Sequence, residues 1–200
     1  MRRRMNVLDH QEFLALKAGA EVLEQDAHGE KVLRLTNGSL IKLFRRKRLV
    51  SSTAWYPYAQ RFADNAEALA QRGIPVPRVI DIWRIPSIKR DAVHYHPLEG
   101  VTLRSLNRPE SNIDLTALKK RFTDFIIHLH RLGIYFRSLH LGNVILTPSG
   151  ELGLIDFSDL RIYRTPLPTF MRRRNIRRML GMPAECGWID SVAILSARQP

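Results

Sequence analysis

Residues 133–160 read GIYFRSLHLGNVILTPSGELGLIDFSDL, and the rest of the chain can be arranged around them. Two apolar runs, at residues 144–146 and 152–155, flank a turn cluster of Thr, Pro, Ser and Gly, which predicts a β-hairpin. Asn143 precedes the first strand and Asp156 follows the second, so the hairpin would bring both side chains to the same end. An amide and a carboxylate on a rigid β support form an oxygen site suited to Mg²⁺. The ordinary alternative is an asparagine in a turn and an aspartate that caps the next segment.

The first half of this stretch matches the protein-kinase catalytic loop, H-R-D-L-x-x-x-N. Arg137 and Asn143 keep the register of that motif, and Asp156 begins an Asp-Phe-Ser where kinases have Asp-Phe-Gly. His140 makes the loop more similar to that of sugar and small-molecule kinases, which often reads D-x-H-x-x-N. Ser138 departs from the motif, because it occupies the position of the catalytic aspartate and no other carboxylate lies in the loop.

Length and composition restrict the class of protein. The 200 residues, 44% of them hydrophobic, are enough for one core or for two small lobes. No apolar run approaches the roughly 20 residues of a membrane span, and polar residues follow the basic N-terminus where a signal peptide would be apolar. The single cysteine, Cys186, excludes an internal disulfide and a multi-cysteine metal site. We therefore expect a folded cytoplasmic protein.

The net charge indicates an anionic partner. The chain has 32 Lys and Arg against 19 Asp and Glu, a formal net charge of +13. Such an excess attracts nucleic acid, an anionic membrane surface or a phosphorylated substrate, and it does not choose among them.

Residues 20–96 have the pattern of an antiparallel sheet. An Asn-Gly turn at residues 37–38 joins two of its strands, which is the strongest short-range hairpin signal. Residues 1–19 are expected to be a polar leader with one weakly amphipathic helix and no assigned function. The five predicted strands lie at residues 21–24, 31–35, 39–44, 79–85 and 92–95.

Lys42 lies in the third of these strands, within Leu-Ile-Lys-Leu, which resembles the Val-Ala-Ile-Lys of kinases. In kinases this lysine holds the phosphates of ATP. A helix predicted over residues 58–72 offers Glu67 as the partner of Lys42, with Asp64 as the second choice. The turn between the first two strands contains Gly29 but lacks G-x-G-x-x-G, so we expect weaker phosphate cover. The ordinary alternatives are a solvated lysine and an exposed acidic residue.

The second half of the chain begins where Pro and Gly interrupt the last strand. This tract predicts a hinge in which kinase-like enzymes bind adenine through backbone groups, with His96 and Leu98 as the candidate residues. An apolar stripe over residues 113–132 predicts a helix that leads into the catalytic loop. Arginines that follow the hairpin are expected to hold an anionic substrate or membrane headgroups, because guanidinium groups match phosphate oxygens. They are Arg161, Arg164, Arg172, Arg173 and Arg174.

Together these features resemble the bacterial lipopolysaccharide kinase family, the Kdo and heptose kinases, and the chain is also similar to the toluene tolerance proteins. The resemblance implies an α+β, two-lobed, protein-kinase-like fold. Its five-stranded antiparallel N-lobe would span residues 20–96, and its shortened helical C-lobe residues 97–200.

The same resemblance implies transfer of the ATP γ-phosphate to a sugar hydroxyl of the lipopolysaccharide inner core, or of another anionic glycolipid. The enzyme would act on the cytoplasmic side of the inner membrane, as a peripheral protein. Asn143 and Asp156 would hold Mg²⁺, and Lys42 would hold the nucleotide phosphates.

Ser138 leaves a second interpretation open, a pseudokinase that binds nucleotide as an accessory protein of envelope biosynthesis. In an active kinase, His140 would take over part of the role of the missing aspartate or contact the γ-phosphate, beside Arg137. The alternative for His140 is a loop histidine bonded to the backbone. A nucleic-acid-binding module is suggested by charge alone and is disfavoured, because the chain lacks a recognition-helix motif, a base-stacking pattern and a zinc site.

Overall fold

The structure is a computed structural model that describes residues 3–46, 56–108 and 114–198. The fold is α+β, and the chain divides into two units. Unit 1 consists of Met1–Gln71 and Val76–Leu98, and unit 2 consists of Arg72–Pro75 and Glu99–Pro200. Across the described ranges, we find no helix with the length and apolar character needed to cross a membrane.

Unit 1 is built on a mixed sheet. The five predicted strands are present and antiparallel, and the Asn-Gly turn joins two of them. The sheet is larger than predicted, because Asn6 and Val7 of the leader pair in parallel with Trp83 and Arg84. The strands are β1 (Asn6–Val7), β2 (Glu21–Asp26), β3 (Gly29–Arg34), β4 (Leu40–Arg45), β5 (Arg78–Ile85) and β6 (Arg90–His96). Their order in the sheet is β1-β5-β6-β4-β3-β2.

A helix packs on each face of this sheet. On one face, Phe13 of α1 (His10–Lys17) joins Ile41 and Leu43 of β4 in a buried apolar cluster. Because side chains alternate along a strand, Lys42 and Phe44 lie on the opposite face. There Phe44 stacks on Tyr58 of α2 (Tyr58–Ala70), with ring centroids 6.1 Å apart. Lys42 is therefore on the sheet face that the predicted helix covers.

Unit 2 contains the predicted long helix, α4. Asp114 caps it, its buried face carries Leu118, Phe122, Ile126 and Leu129, and Gly133 follows it with a φ of +71°. The helix prediction is confirmed for the described residues, and Ile113 lies outside them. The elements of unit 2 are β7 (Val101–Thr102), α3 (Leu103–Leu106), α4 (Leu115–Arg131), β8 (Ile134–Tyr135), β9 (Val144–Leu146), β10 (Leu152–Leu154), β11 (Arg161–Ile162), α5 (Thr169–Leu180) and α6 (Ser191–Ser196).

The predicted hairpin is formed by β9 and β10, with Val144 opposite Leu154 and Leu146 opposite Leu152. β7 pairs with the other edge of β9, so the tract after the predicted hinge packs against the hairpin. Gly100, just before β7, has a φ of +133° and leaves no room for a Cβ atom beside the carbonyl oxygen of Leu146. A glycine is therefore required at this position.

β8 and β11 form a separate two-stranded ladder in which Tyr135 lies opposite Arg161. β8 comes directly before the loop of residues 136–143, and β11 comes directly after the segment of residues 156–160. The ladder therefore holds the start of the loop beside the chain that leaves the hairpin.

Candidate functional site

The end of the hairpin brings together the two residues predicted to bind a metal. The backbone amide of Ile155 donates a 3.0 Å hydrogen bond to the carbonyl of Asn143, so Asp156 comes next to Asn143 across the ladder. The Nδ2 atom of Asn143 donates to the Ser138 carbonyl at 2.9 Å, which fixes the amide and makes Oδ1 the atom of this side chain that could bind a cation. That these residues bind a metal remains a prediction.

Asp156 has an unusual backbone conformation. Its φ is +53°, in the left-handed region that few residues other than glycine adopt, and its side chain is exposed. Strain of this kind is concentrated at functional sites, where the surrounding structure enforces it. Within the described ranges, no group of three or more His, Cys, Asp or Glu residues is placed to hold a metal. The oxygen pair of Asn143 and Asp156 suits Mg²⁺, which takes few protein ligands and retains water or phosphate oxygens.

Ser138 has a carboxylate partner that does not come from the loop. Its Oγ atom donates to Oδ2 of Asp159, and the two atoms are 2.5 Å apart. The other carboxylate oxygen of Asp159, Oδ1, is buried and has no hydrogen-bond partner in the described part of the chain. The β8–β11 ladder explains the contact, because Asp159 lies two residues before Arg161 and Ser138 three residues after Tyr135.

Asp159 was not among the predicted site residues, because it lies outside the loop, on the segment that follows the hairpin. A detectable signal was present in the sequence. Asp159 lies only three residues after Asp156, on the segment that must leave the same end of the hairpin.

His140 uses one ring nitrogen to support the loop. Its Nδ1 atom accepts hydrogen bonds from the Gly142 amide at 3.1 Å and from Nη2 of Arg104 at 3.2 Å. Because both partners are donors, Nδ1 is unprotonated and the neutral ring carries its proton on Nε2. Burial, followed by the Arg104 charge, lowers the pKa of His140 below its ordinary value, which favours this neutral form. The predicted catalytic role of His140 would therefore have to use Nε2, and it remains a prediction.

A buried glutamate near the C-terminus also supports the loop. Oε2 of Glu185 accepts from the Leu141 amide at 2.8 Å, and Oε1 accepts from Nε of Arg104 at 2.8 Å. Arg104 in turn contacts His140. Glu185 therefore links the C-terminal segment to the middle of the loop, a role that no sequence pattern indicated.

The start of the loop is held by a buried pair from two helices. Nδ2 of Asn175 donates to the Phe136 carbonyl at 2.8 Å, while Oδ1 of Asn175 lies 2.9 Å from Nε2 of His130. Since Oδ1 is an acceptor, Nε2 of His130 carries the proton. Burial is the main cause that lowers the pKa of His130. His130 is thus a packing residue, and Arg137 beside Phe136 is exposed.

The predicted nucleotide residues of unit 1 lie on several elements. Nζ of Lys42 is 5.9 Å from the ring centroid of Phe44. Glu67 is exposed on α2 and lines a cavity of about 640 Å³ with Arg3, Arg4 and Arg78. The pairing of Lys42 with Glu67 remains a prediction.

Asp64, the second choice for that pairing, accepts hydrogen bonds from Tyr56 and Gln60. Gly29 follows a two-residue turn with a φ of +104°, so this hairpin is tight and has no long glycine-rich loop. His96 ends β6 opposite Arg78, and Leu98 is half-buried. Their contact with adenine remains a prediction.

Four of the five arginines expected to hold an anion are accessible, since Arg161, Arg164, Arg173 and Arg174 are exposed. Arg172 is only 3% exposed, and its guanidinium donates to the Ile194 carbonyl of α6. Burial lowers the pKa of Arg172. The prediction that Arg172 holds an anion is therefore wrong, because its side chain is buried and links α5 to α6 by a hydrogen bond.

Comparison with protein-family models and with curated proteins finds no match for this chain.

Proposed function

We propose that this protein is a kinase-like phosphotransferase that binds Mg²⁺ and ATP and transfers the γ-phosphate to a sugar hydroxyl of the lipopolysaccharide inner core. The observation that most supports the proposal is the pairing of Asn143 and Asp156 at the end of the hairpin, tied by the bond from Ile155 to Asn143. An amide oxygen and a carboxylate are the donors that Mg²⁺ takes beside phosphate oxygens.

The roles of the residues follow from their chemistry. Oδ1 of Asn143 and the carboxylate of Asp156 would hold the metal ion, which supplies positive charge to the phosphate oxygens when bound. Lys42 would hold the nucleotide phosphates as a compact cation. The bond from Asn143 to the Ser138 carbonyl keeps the loop in register with the metal residues. Phosphoryl transfer depends mainly on such positioning and on charge stabilisation.

The proposal includes a protein-kinase-like fold, with unit 1 as its N-lobe and unit 2 as its C-lobe. Support comes from the five antiparallel strands with α2 on the Lys42 face. It also comes from the hairpin, which lies between Asn143 and Asp156 in the sequence and brings them to the same end. The sequence resemblance to Kdo and heptose kinases points the same way.

The acceptor is proposed to be an anionic glycolipid, reached from the surface of the inner membrane. Arg161, Arg164, Arg173 and Arg174 are exposed, and the chain has a net charge of +13. Arginine binds phosphate oxygens through paired N–H donors. These four residues are therefore the proposed contacts with lipid or sugar phosphates.

One observation favours a second function, a nucleotide-binding pseudokinase. Ser138 replaces the catalytic aspartate, and His140 is engaged through Nδ1 with Gly142 and Arg104 instead of replacing it. Such a protein would bind Mg-ATP without transferring phosphate.

A thermal-shift experiment with Mg-ATP tests nucleotide binding. A ligand at 100 times its Kd stabilises the native state by about 2.7 kcal/mol, which should raise the Tm by several degrees. Asp156→Asn should abolish the shift, because it removes the charged metal ligand while keeping a residue that tolerates positive φ. Asp124→Asn, on the surface of α4, should leave the shift intact. No shift for the wild-type protein would reject both functions, and ³²P transfer to purified inner-core lipopolysaccharide would distinguish them.

A further inference from the structure

We propose that Asp159 supplies, through the Ser138 hydroxyl, the carboxylate that the catalytic loop lacks. This inference rests on the proposed phosphotransferase function. It makes Ser138 the group that contacts the acceptor hydroxyl and Asp159 the positioning residue behind it.

The direction of the hydrogen bond is the first argument. Ser138 has one O–H, and it is directed to Oδ2 of Asp159 at 2.5 Å. The lone pairs of Oγ are then the atoms that Ser138 presents to other groups. A serine held in this way accepts a hydrogen bond from an incoming hydroxyl, which is how the aspartate of a kinase orients its acceptor.

The burial of Asp159 is the second argument. Its Oδ1 atom has no hydrogen-bond partner within the described residues, and a buried polar atom without a partner destabilises the native state. A structural aspartate commonly caps a backbone amide, but within the described ranges the Asp159 side chain is bonded to the Ser138 hydroxyl instead. Function is a common reason for keeping a costly buried group.

The third argument is the connection to the metal residues. The Ser138 carbonyl accepts from Asn143, and the Asn143 carbonyl accepts from Ile155, the residue before Asp156. Asp159 follows Asp156 by three residues. One continuous set of hydrogen bonds therefore ties the Ser138–Asp159 pair to Asn143 and Asp156.

The transfer step balances with these groups alone. The acceptor oxygen forms a bond to the γ-phosphorus, and the bond from that phosphorus to the β–γ bridging oxygen breaks, its electron pair leaving with ADP. The acceptor proton moves to Oγ of Ser138 while the serine proton moves to Oδ2 of Asp159. Asp159 then releases that proton to solvent as Ser138 regains its original state.

The test is a rescue experiment on the full chain. Calorimetry would measure Mg-ATP binding. Two activity assays would follow, ADP release with water as the acceptor and ³²P transfer to purified inner-core lipopolysaccharide. Asp159→Asn keeps the shape of the side chain and should lower kcat by roughly 10²- to 10⁴-fold, with Kd and KM for ATP unchanged. Adding Ser138→Asp to that variant should recover most of the lost rate, because it returns a carboxylate to the loop.

The order of substitution provides an internal control. Ser138→Asp alone places two carboxylates side by side, so it should raise the rate less than it does in the Asp159→Asn background. Asp124→Asn, a surface change in α4, should leave every parameter at its wild-type value. If Asp159→Asn does not fold, Ser138→Ala should lower kcat while Ser138→Thr, which keeps the hydroxyl, should retain activity.

The outcomes separate this inference from the function on which it rests. A wild-type protein that does not bind Mg-ATP would reject the proposed function, and the inference with it. Binding without phosphate transfer to either acceptor would reject the role of Asp159 and support the pseudokinase. If the wild type is active, any of three results would overturn the role of Asp159. Asp159→Asn could keep the wild-type kcat, its loss could appear in Kd or KM instead of kcat, or Ser138→Asp could fail to rescue it.

Discussion

Glu185 binds Leu141 across 44 positions of the chain, through a 2.8 Å hydrogen bond from the Leu141 amide to Oε2. The carboxylate is 7% exposed, and its other oxygen accepts from Nε of Arg104. Leu141 lies between His140 and Asn143, so the C-terminal segment fixes the part of the loop that carries a proposed metal ligand. The loop conformation therefore depends on contacts made late in the sequence.

Glu185→Ala should destabilise the protein by about 2 kcal/mol, because it leaves the Leu141 amide and the Arg104 guanidinium without their buried acceptor. Urea unfolding at neutral pH measures this loss. Asp124→Ala is the matched control, since it breaks the exposed pair with Lys120, and such a pair contributes about 0.3–0.5 kcal/mol. Equal losses for the two variants would show that Glu185 does not anchor the loop.

Gly100→Ala should destabilise the protein by at least about 2 kcal/mol, because the new Cβ atom would meet the Leu146 carbonyl well inside the 3.0 Å that real Cβ atoms keep. Gly150→Ala measures the cost of placing alanine at a positive φ without a steric clash. Gly150 has a φ of +83° with no atom within 4 Å of a Cβ, so its loss should be about 1–2 kcal/mol. Unfolding curves in urea measure both values, and a Gly100 variant no less stable than the Gly150 variant would contradict the close approach of the hinge tract to β9.

The local elements could be predicted from the sequence because their signals are local. The Asn-Gly turn and the apolar stripe of α4 each depend on residues a few positions apart. The hairpin of β9 and β10 follows from one turn and two apolar runs, and it is sufficient to place Asn143 beside Asp156.

The contacts that complete the candidate site could not be predicted in this way. Asp159 meets Ser138 across 21 positions, and Glu185 meets Leu141 across 44. No period or motif relates Glu185 to Leu141, because their contact depends on the packing of the C-terminal segment. The position of Asp159 three residues after Asp156 indicates the end of the hairpin where it lies, but its bond to Ser138 depends on the β8–β11 ladder. Arg172 illustrates the opposite error, because Arg173 and Arg174 beside it are exposed while it is buried against α6.

Substitutions of the α5 arginines should affect either anion binding or stability, depending on whether the side chain is exposed or buried. Arg173→Ala and Arg174→Ala should weaken binding to vesicles that contain anionic phospholipid, and the effect should shrink as salt increases, because exposed charges are screened. Arg172→Ala should instead lower the free energy of unfolding, since it removes the bond to the Ile194 carbonyl. Vesicle sedimentation and urea unfolding of all three variants measure the two effects. Loss of vesicle binding in Arg172→Ala alone would reverse this assignment.

Protonation of His130 should destabilise the protein in mild acid. Burial, the largest cause, and the Arg172 charge lower the pKa of His130 in the native state, although the bond to Asn175 opposes them. The unfolded chain therefore binds more protons as the pH falls below about 6.5, the ordinary pKa of histidine, and stability falls with it. His94 and His140 contribute in the same direction, because burial lowers the pKa of each.

His130→Gln should be less stable than the wild type at pH 8. Its free energy of unfolding should also change less between pH 7 and pH 5, a range chosen because the ordinary pKa of histidine is about 6.5. Urea unfolding at several pH values gives the slope for each protein. His128→Gln, on the exposed side of the same helix, is the matched control and should keep the wild-type slope. If His130→Gln retained the full slope, the acid sensitivity would have to come from His94 and His140, and the buried pair of His130 and Asn175 would have no part in it.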